Sequence, residues 1–294
     1  MRLEGIYVPN VTPFDAEGNI LYEPLGRLID LWIGLGISGI VANASTGEGP
    51  YLSRREQRSI IEYIVERADG RAQVIAGTGA MSTWETMETT REAVDAGAEA
   101  ALVTTPYFFK PTDDELFRHY ARVLGATDLP VILYNVPKFT GYSISPRVVA
   151  RIASECSGLA GIKDSSGNPG TMAEVVRLCG DRISCLSGAA DMILPTLTLG
   201  GRGAIVAVGN VIAGQCVSLY RAFRRGDLAE AGRLQLTASF VNKVLVAESP
   251  QIAAIKAALN RMGYGAGFPR GPLLPLTPGA DEAVGEMLRQ VGLL

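Results

Sequence analysis

Leu159-Ala160-Gly161-Ile162-Lys163-Asp164-Ser165-Ser166-Gly167 is a short apolar run that ends abruptly in a lysine and then turns. A run of this length bounded by Ser and Gly predicts a buried strand. Lys163 then sits among the last side chains the strand delivers, and in parallel α/β barrels that end carries the chemistry. Burial disfavours an ammonium, so a lysine in such a place can act as a neutral amine and attack a carbonyl. The competing reading is that Lys163 leaves the strand for water and pairs with Asp164.

The pattern repeats on both sides of this stretch. Ile6–Pro9, Ser38–Ala44, Gln73–Gly77, Ala100–Thr104 and Pro130–Tyr134 precede it, and Arg182–Ser187 and Gly203–Val208 follow it. Helix-compatible segments lie between them. Leu25, Leu28, Ile29 and Trp32 recur at helical spacing in Tyr22–Leu35, and Ser53, Ser82 and Thr112 stand as N-caps. About eight strands, each followed by a helix, predict an α/β fold of the (β/α)8 TIM-barrel type. A doubly wound sheet also alternates strand and helix, and the strand count decides between them. Beyond the eighth barrel helix about three further helices follow, with a Pro-rich stretch from Phe268 to Pro278 before the last. The expected division is a catalytic barrel over 1–225 and a C-terminal helical domain over 226–294.

Composition narrows the function. The 294 residues are 47% apolar and 19% charged, with a mean hydropathy of +0.19, which suits a compact fold without long linkers. A formal net charge of −3 gives no overall basic surface for nucleic acid. No apolar run approaches the length of a membrane span. Cys156, Cys179, Cys185 and Cys216 show no CxxC pairing and no adjacent histidine, so a metal site is not indicated and unbridged thiols are expected. The opening residues Met1 to Asn10 lack signal-peptide character, and together these features lead to the expectation of a cytoplasmic protein.

Few residues are placed for catalysis. Gly77-Thr78-Gly79 lacks the third glycine of a dinucleotide fingerprint. His119, the only histidine, falls in an amphipathic helix and reads as a helix residue, which leaves no Ser-His-Asp triad. Three strand ends have a common logic instead. Ser45 and Thr46 supply hydroxyls, with nearby loop amides, for a carboxylate. Tyr134 ends its strand with a phenol that can pass protons. Lys163 supplies the nucleophile. Each also has a structural reading: capping for Ser45 and Thr46, packing for Tyr134.

STGEG at Ser45–Gly49, YNVP at Tyr134–Pro137 and GIKDSSG at Gly161–Gly167 resemble the dihydrodipicolinate synthase/N-acetylneuraminate lyase family of Schiff-base aldolases. GTGA at Gly77–Ala80, TPY at Thr105–Tyr107, LSG at Leu186–Gly188 and GGRGAI at Gly200–Ile205 extend the resemblance over nearly the whole chain. It implies that Lys163 forms an imine with pyruvate or a longer 2-keto acid and that Tyr134 relays protons together with Thr46. It further implies that Ser45, Thr46 and the Gly47 amide hold the carboxylate, and that Gly188 and Ile205 line the keto-acid pocket. The imine serves as electron sink, so no cofactor and no metal are called for. Homotetramers built as dimers of dimers are implied as well.

Two positions depart from the synthase branch. Phe139 stands where those enzymes carry an arginine for the carboxylate of aspartate semialdehyde, and a phenyl ring cannot grip a carboxylate as a guanidinium does. The neighbouring Lys138 reads as a solvated loop residue. Phe108 stands where the synthases carry a tyrosine donated across a subunit interface. Both point to cleavage of a 2-keto-3-deoxy sugar acid, or a related hydroxy-keto acid, to pyruvate and an aldehyde. The alternative is 4-hydroxy-tetrahydrodipicolinate synthesis from pyruvate and aspartate semialdehyde. A barrel that binds keto acids for regulation without turnover is the non-enzymatic alternative.

Overall fold

A computed structural model describes residues 3–294. Met1 and Arg2, the start of the segment read for a targeting signal, lie outside the described residues. The chain alternates through β1 (Gly5–Val8), α1 (Tyr22–Gly34), β2 (Gly39–Ala42), α2 (Arg54–Ala68), β3 (Gln73–Gly77), α3 (Thr83–Asp95), β4 (Ala100–Thr104) and α4 (Asp113–Leu124). It continues with β5 (Val131–Asn135), α5 (Pro137–Thr140), α6 (Pro146–Glu155), β6 (Leu159–Asp164), α7 (Pro169–Cys179), β7 (Ser184–Ser187), α8 (Ile193–Thr198), β8 (Gly203–Ile205) and α9 (Gly209–Arg224). All eight strands are parallel and close in sequence order, β8 returning to β1 with Gly5 opposite Gly203 and Tyr7 opposite Ile205. This is the expected (β/α)8 barrel. Three helices follow: α10 (Leu228–Asn242), α11 (Gln251–Arg261) and α12 (Pro278–Gln290).

The strands are apolar on both faces because both are covered. One face turns into the barrel, where Tyr7, Ile75, Leu102, Ile132, Tyr134, Leu186 and Ile205 share an interior cluster. The other face packs on the helices. Leu234, Leu245, Ile255 and Met287 of the C-terminal segment belong to the same apolar cluster as Ile6, Val8, Trp32 and Ile40 of the barrel.

Helix starts follow their side-chain chemistry. Ser53 and Thr112 form capping boxes with Glu56 and Glu115, and Ser82 accepts from the Glu85 amide. Elsewhere boundaries shift. Of the run Gly203–Val208 the strand ends at Ile205; the Val206 amide makes a last bond to Tyr7 O at 3.3 Å, and the carbonyls of Val206–Val208 already accept from the first turn of α9. Helix α10 passes directly into a π turn at Lys243–Ala247. The residues after Tyr134 form the short helix α5, with Pro137 at its start, where a proline's missing N–H costs no hydrogen bond, and Gly141 in the left-handed region at its end.

Candidate active site

β5 and β6 bring the two principal side chains together. Their register sets Tyr134 opposite Lys163 and Asn135 opposite Asp164. Neighbours in parallel register share a face, and Lys163 Nζ lies 4.0 Å from the centre of the Tyr134 ring. Lys163 is 4% exposed, so it does not leave the strand for water. Asp164 is engaged elsewhere: its Oδ1 accepts from Asn135 Nδ2 at 2.7 Å and from the Ser166 amide at 3.1 Å, and its Oδ2 from Ser166 Oγ at 2.9 Å. Asn135 Oδ1 in turn accepts from the Ile144 amide at 3.0 Å. A buried amide–carboxylate bridge therefore fixes one strand to the next immediately beyond the lysine and the tyrosine.

Gly161 acts on the other side of β6, where it faces β7. A Cβ there would stand 2.5 Å from the Ser184 carbonyl oxygen, so only glycine lets β6 and β7 meet at that level. Gly188 packs closely on the loop after β6: a Cβ there would fall 1.9 Å from Ser165 Oγ and 3.1 Å from the Asp164 carbonyl carbon, so the serine hydroxyl would have to turn away.

Burial pushes the Tyr134 phenol up, but the charge of Lys163 and interactions with Ser45, Lys163 and Ser165 together outweigh it and hold the phenol below its ordinary value. Ser165 Oγ is buried beside it and makes no hydrogen bond of regular geometry. Ser45, Thr46 and Gly47 form one 3₁₀ turn after β2, in which the Gly47 amide donates to Ala44 O at 3.0 Å. Thr12 Oγ1 donates to the Gly47 carbonyl at 2.7 Å and Gln251 Nε2 to Thr46 Oγ1 at 3.4 Å. A cleft of about 400 Å³ opens over this end, walled by Ser45, Tyr134, Tyr107, Phe139 and Ile252. Gly188 and Ile205 reach the same barrel end, after β7 and at the end of β8, without forming part of the cleft wall.

Arg54 is the one lysine or arginine among the described residues that wall the cleft, and Glu92 holds its guanidinium through two hydrogen bonds. Lys138 is exposed and donates to Val246 O at 3.2 Å. His119 is buried against Thr83, its Nδ1 2.9 Å from Thr83 Oγ1, and burial pulls its imidazole down to about 4. It is a packing residue. The four cysteines are free thiols. Among the described residues no group of three or more His, Cys, Asp or Glu is placed to hold a metal ion, and no helix is long and apolar enough to cross a membrane.

Asp164, expected as a partner of a solvated Lys163, is instead bonded to Asn135 and Ser166, and neither Asn135 nor Ser165 carries an expected role. They stand inside the quoted YNVP and GIKDSSG stretches, so a sequence signal was present. Their partnership across two strands was not.

An interior lysine against a tyrosine from the adjacent strand, at the barrel end where a cleft opens, is an arrangement suited to amine chemistry on small carbonyl compounds. The sequence matches the Dihydrodipicolinate synthetase family over residues 2–291, and the chain belongs to that family. It is 35% identical, over the full length of both chains, to a 4-hydroxy-tetrahydrodipicolinate synthase of Nitratidesulfovibrio vulgaris. Among solved structures it is similar to dihydrodipicolinate synthase from Aquifex aeolicus, at 35% identity, a TM-score of 0.95 and 99% coverage of both chains. It is also similar to YagE of E. coli K12, a prophage protein of the same family in complex with pyruvate, at 31% identity, a TM-score of 0.95 and 99% coverage of both chains. The protein is thus an enzyme of the pyruvate-dependent lyase and synthase class, which sets aside the reading of a regulatory barrel without turnover.

Proposed function

We propose that Lys163 forms an imine with the 2-keto carbon of pyruvate and that the derived enamine makes or breaks one carbon–carbon bond with an aldehyde. The observation that carries this reading is the buried contact of Lys163 Nζ, at 4.0 Å, with the ring of Tyr134; Tyr134 walls the cleft and Lys163 itself does not. Lys163 attacks as the amine, and water leaves from the carbinolamine. Tyr134, held below its ordinary phenol value, accepts and returns the protons of both steps. Thr46 joins the relay. The hydroxyls of Ser45 and Thr46 hold the substrate carboxylate, and the Gly47 N–H, which donates to Ala44 O at 3.0 Å, gives the carboxylate the second branch of a bifurcated bond. Gly188 and Ile205 bound the keto-acid side. The electron sink is the covalent imine, so the chemistry needs no cofactor.

For the second substrate, the names of the relatives favour condensation with aspartate semialdehyde, giving 4-hydroxy-tetrahydrodipicolinate. This reverses the preference for sugar-acid cleavage that Phe108 and Phe139 suggest in the sequence. One observation keeps cleavage as the second reading: Phe139 lines the cleft, and its single guanidinium, Arg54, is already paired with Glu92. A free cation for a second carboxylate is therefore missing from the described cleft wall. A cytoplasmic homotetramer, built as a dimer of dimers, belongs to the same proposal.

Borohydride reduction with pyruvate, followed by intact mass and peptide mapping, is expected to add one reduced pyruvyl group at Lys163. An unmodified protein, under conditions that label a control aldolase, overturns the mechanism. Turnover of pyruvate with aspartate semialdehyde is expected to exceed pyruvate release from 2-keto-3-deoxy sugar acids. The opposite ranking establishes cleavage.

A further inference from the structure

The turn that carries Ser45, Thr46 and Gly47 ends on Glu48, whose backbone is in the left-handed region at φ 59° and whose side chain is completely buried. Both features are costly for a glutamate. Its carboxylate is matched from the far end of the chain: Oε1 lies 2.5 Å from Lys256 Nζ, and Oε2 accepts from the Arg270 amide at 2.7 Å. Lys256 is 1% exposed, donates to Phe268 O at 2.6 Å and stands 4.5 Å from the centre of the Phe14 ring. Burial pulls its ammonium down to about 8, while Glu48 pulls it back up. Five residues earlier, at the start of the same helix α11, Gln251 donates to Thr46 Oγ1, and Ile252 lines the cleft. The preceding π turn takes a hydrogen bond from Lys138 beside Phe139. One segment of the C-terminal extension thus touches the loop after β2, assigned above to the carboxylate, and the loop that follows Tyr134 and β5.

We propose that the extension is a working part of the pyruvate site: Lys256, through its buried pair with Glu48, and Gln251, through Thr46, are positioning residues that hold the Ser45–Gly47 turn in its carboxylate-binding shape. This rests on the function proposed above. The physical reason is that a lone 3₁₀ turn has little hold on its own geometry. A left-handed buried glutamate at its end would unwind it toward water unless a charge partner inside the protein kept the carboxylate in place. The carboxylate contact persists from bound substrate to transition state, so weakening it should raise the pyruvate concentration needed for half-saturation by more than it lowers the limiting rate, to which Thr46 contributes through the relay. A purely structural role predicts a different signature, a smaller active fraction with an unaltered half-saturation.

The experiment measures borohydride trapping of pyruvate on the full-length protein as a function of pyruvate concentration, with circular dichroism and thermal melting on each variant. Wild type serves as the reference, and absence of trapping in wild type would refute the imine mechanism rather than the positioning role. Glu48→Gln/Lys256→Met removes both charges at similar volume and is expected to raise half-saturation on the order of tenfold, with the limiting trapping rate within about twofold. Gln251→Ala, at a half-buried position, is expected to raise it about threefold. A folded double variant with wild-type half-saturation overturns the proposal. If the double variant does not fold, Gln251→Ala decides: a raised half-saturation supports the proposal and an unaltered one overturns it.

Discussion

Lys163 and Tyr134 act on each other, and in the proposed mechanism on substrate as well. Replacing Lys163 by alanine is expected to abolish borohydride labelling and to lower turnover on the order of 10⁴-fold or more, because the covalent step disappears. Tyr134→Phe keeps the nucleophile and is expected to retain labelling while lowering kcat roughly 10²-fold, the usual range for loss of a positioned proton carrier. A third variant isolates the electrostatics. Burial raises the Tyr134 phenol, and the Lys163 charge leads the influences that lower it. In Lys163→Met burial is then opposed only by hydroxyl groups, so the phenol should move up past its ordinary value. In ultraviolet difference titration the Tyr134 component, identified as the one that Tyr134→Phe removes, should lie at lower pH in wild type than in Lys163→Met. The sign for stability follows: a depressed folded-state value contributes stability present above the unfolded value and lost as pH falls through the folded one. This contribution therefore belongs to the alkaline range and is absent at neutral pH.

At the scale of elements, the bridge between Asn135 on β5 and Asp164 on β6 sets the relation of the two reactive side chains. Asn135→Ala leaves the Asp164 carboxylate short of a buried donor and is expected to cost about 1–3 kcal/mol in denaturant unfolding. It should also lower kcat by roughly 10- to 100-fold with a smaller change in KM, since slight misplacement of the lysine penalises the reaction more than binding. A second tie joins the C-terminal loop to α2. Arg270 makes a two-pronged pair with Glu56, the closer contact at 2.7 Å, and that pairing first, with the Ser53 contacts after it, holds the Glu56 carboxyl at about 2 against an ordinary 4.5. A lowered carboxylate contributes stability that is complete above about pH 4.5. The contribution is lost as pH falls toward about 2. Both partners are partly exposed, so screening leaves about 1 kcal/mol. Arg270→Met should flatten this acid limb in unfolding free energies measured from pH 6 to pH 2.5. These ties explain where the sequence was legible and where it was not. β3 and β4 were readable to the residue, because an apolar run ended by small polar residues is a local signal. The pairs Asn135–Asp164, Glu48–Lys256 and Glu56–Arg270 join residues 29, 208 and 214 positions apart, and one chain read along its length carries no trace of such partnerships.

Across the whole molecule, what the sequence conveyed best was the repeat. Eight strand–helix units admit the closed barrel, and closure delivers all strand ends to one face, which is why Ser45, Tyr134 and Lys163 can be grouped before any distance is known. The substrate's distal half was less legible, because it depends on what Phe139 and Phe108 face. Phe108 adopts a left-handed backbone at φ 82° and is 83% exposed, with its ring edge-on to Phe109 at 5.0 Å. Phe109 and Trp84 are also strongly exposed. A bulky residue held at positive φ with its ring in water is costly twice, in backbone strain and in apolar exposure, and both costs find a reason if a second copy covers the rings. Light scattering is expected to give an oligomer at micromolar concentration, and sedimentation of Phe108→Asp/Phe109→Asp should give a smaller species, because a carboxylate in an apolar contact is penalised by desolvation. A wild-type protein that runs as a monomer throughout this range would refute the assembly. The exposed rings would then need another partner or none.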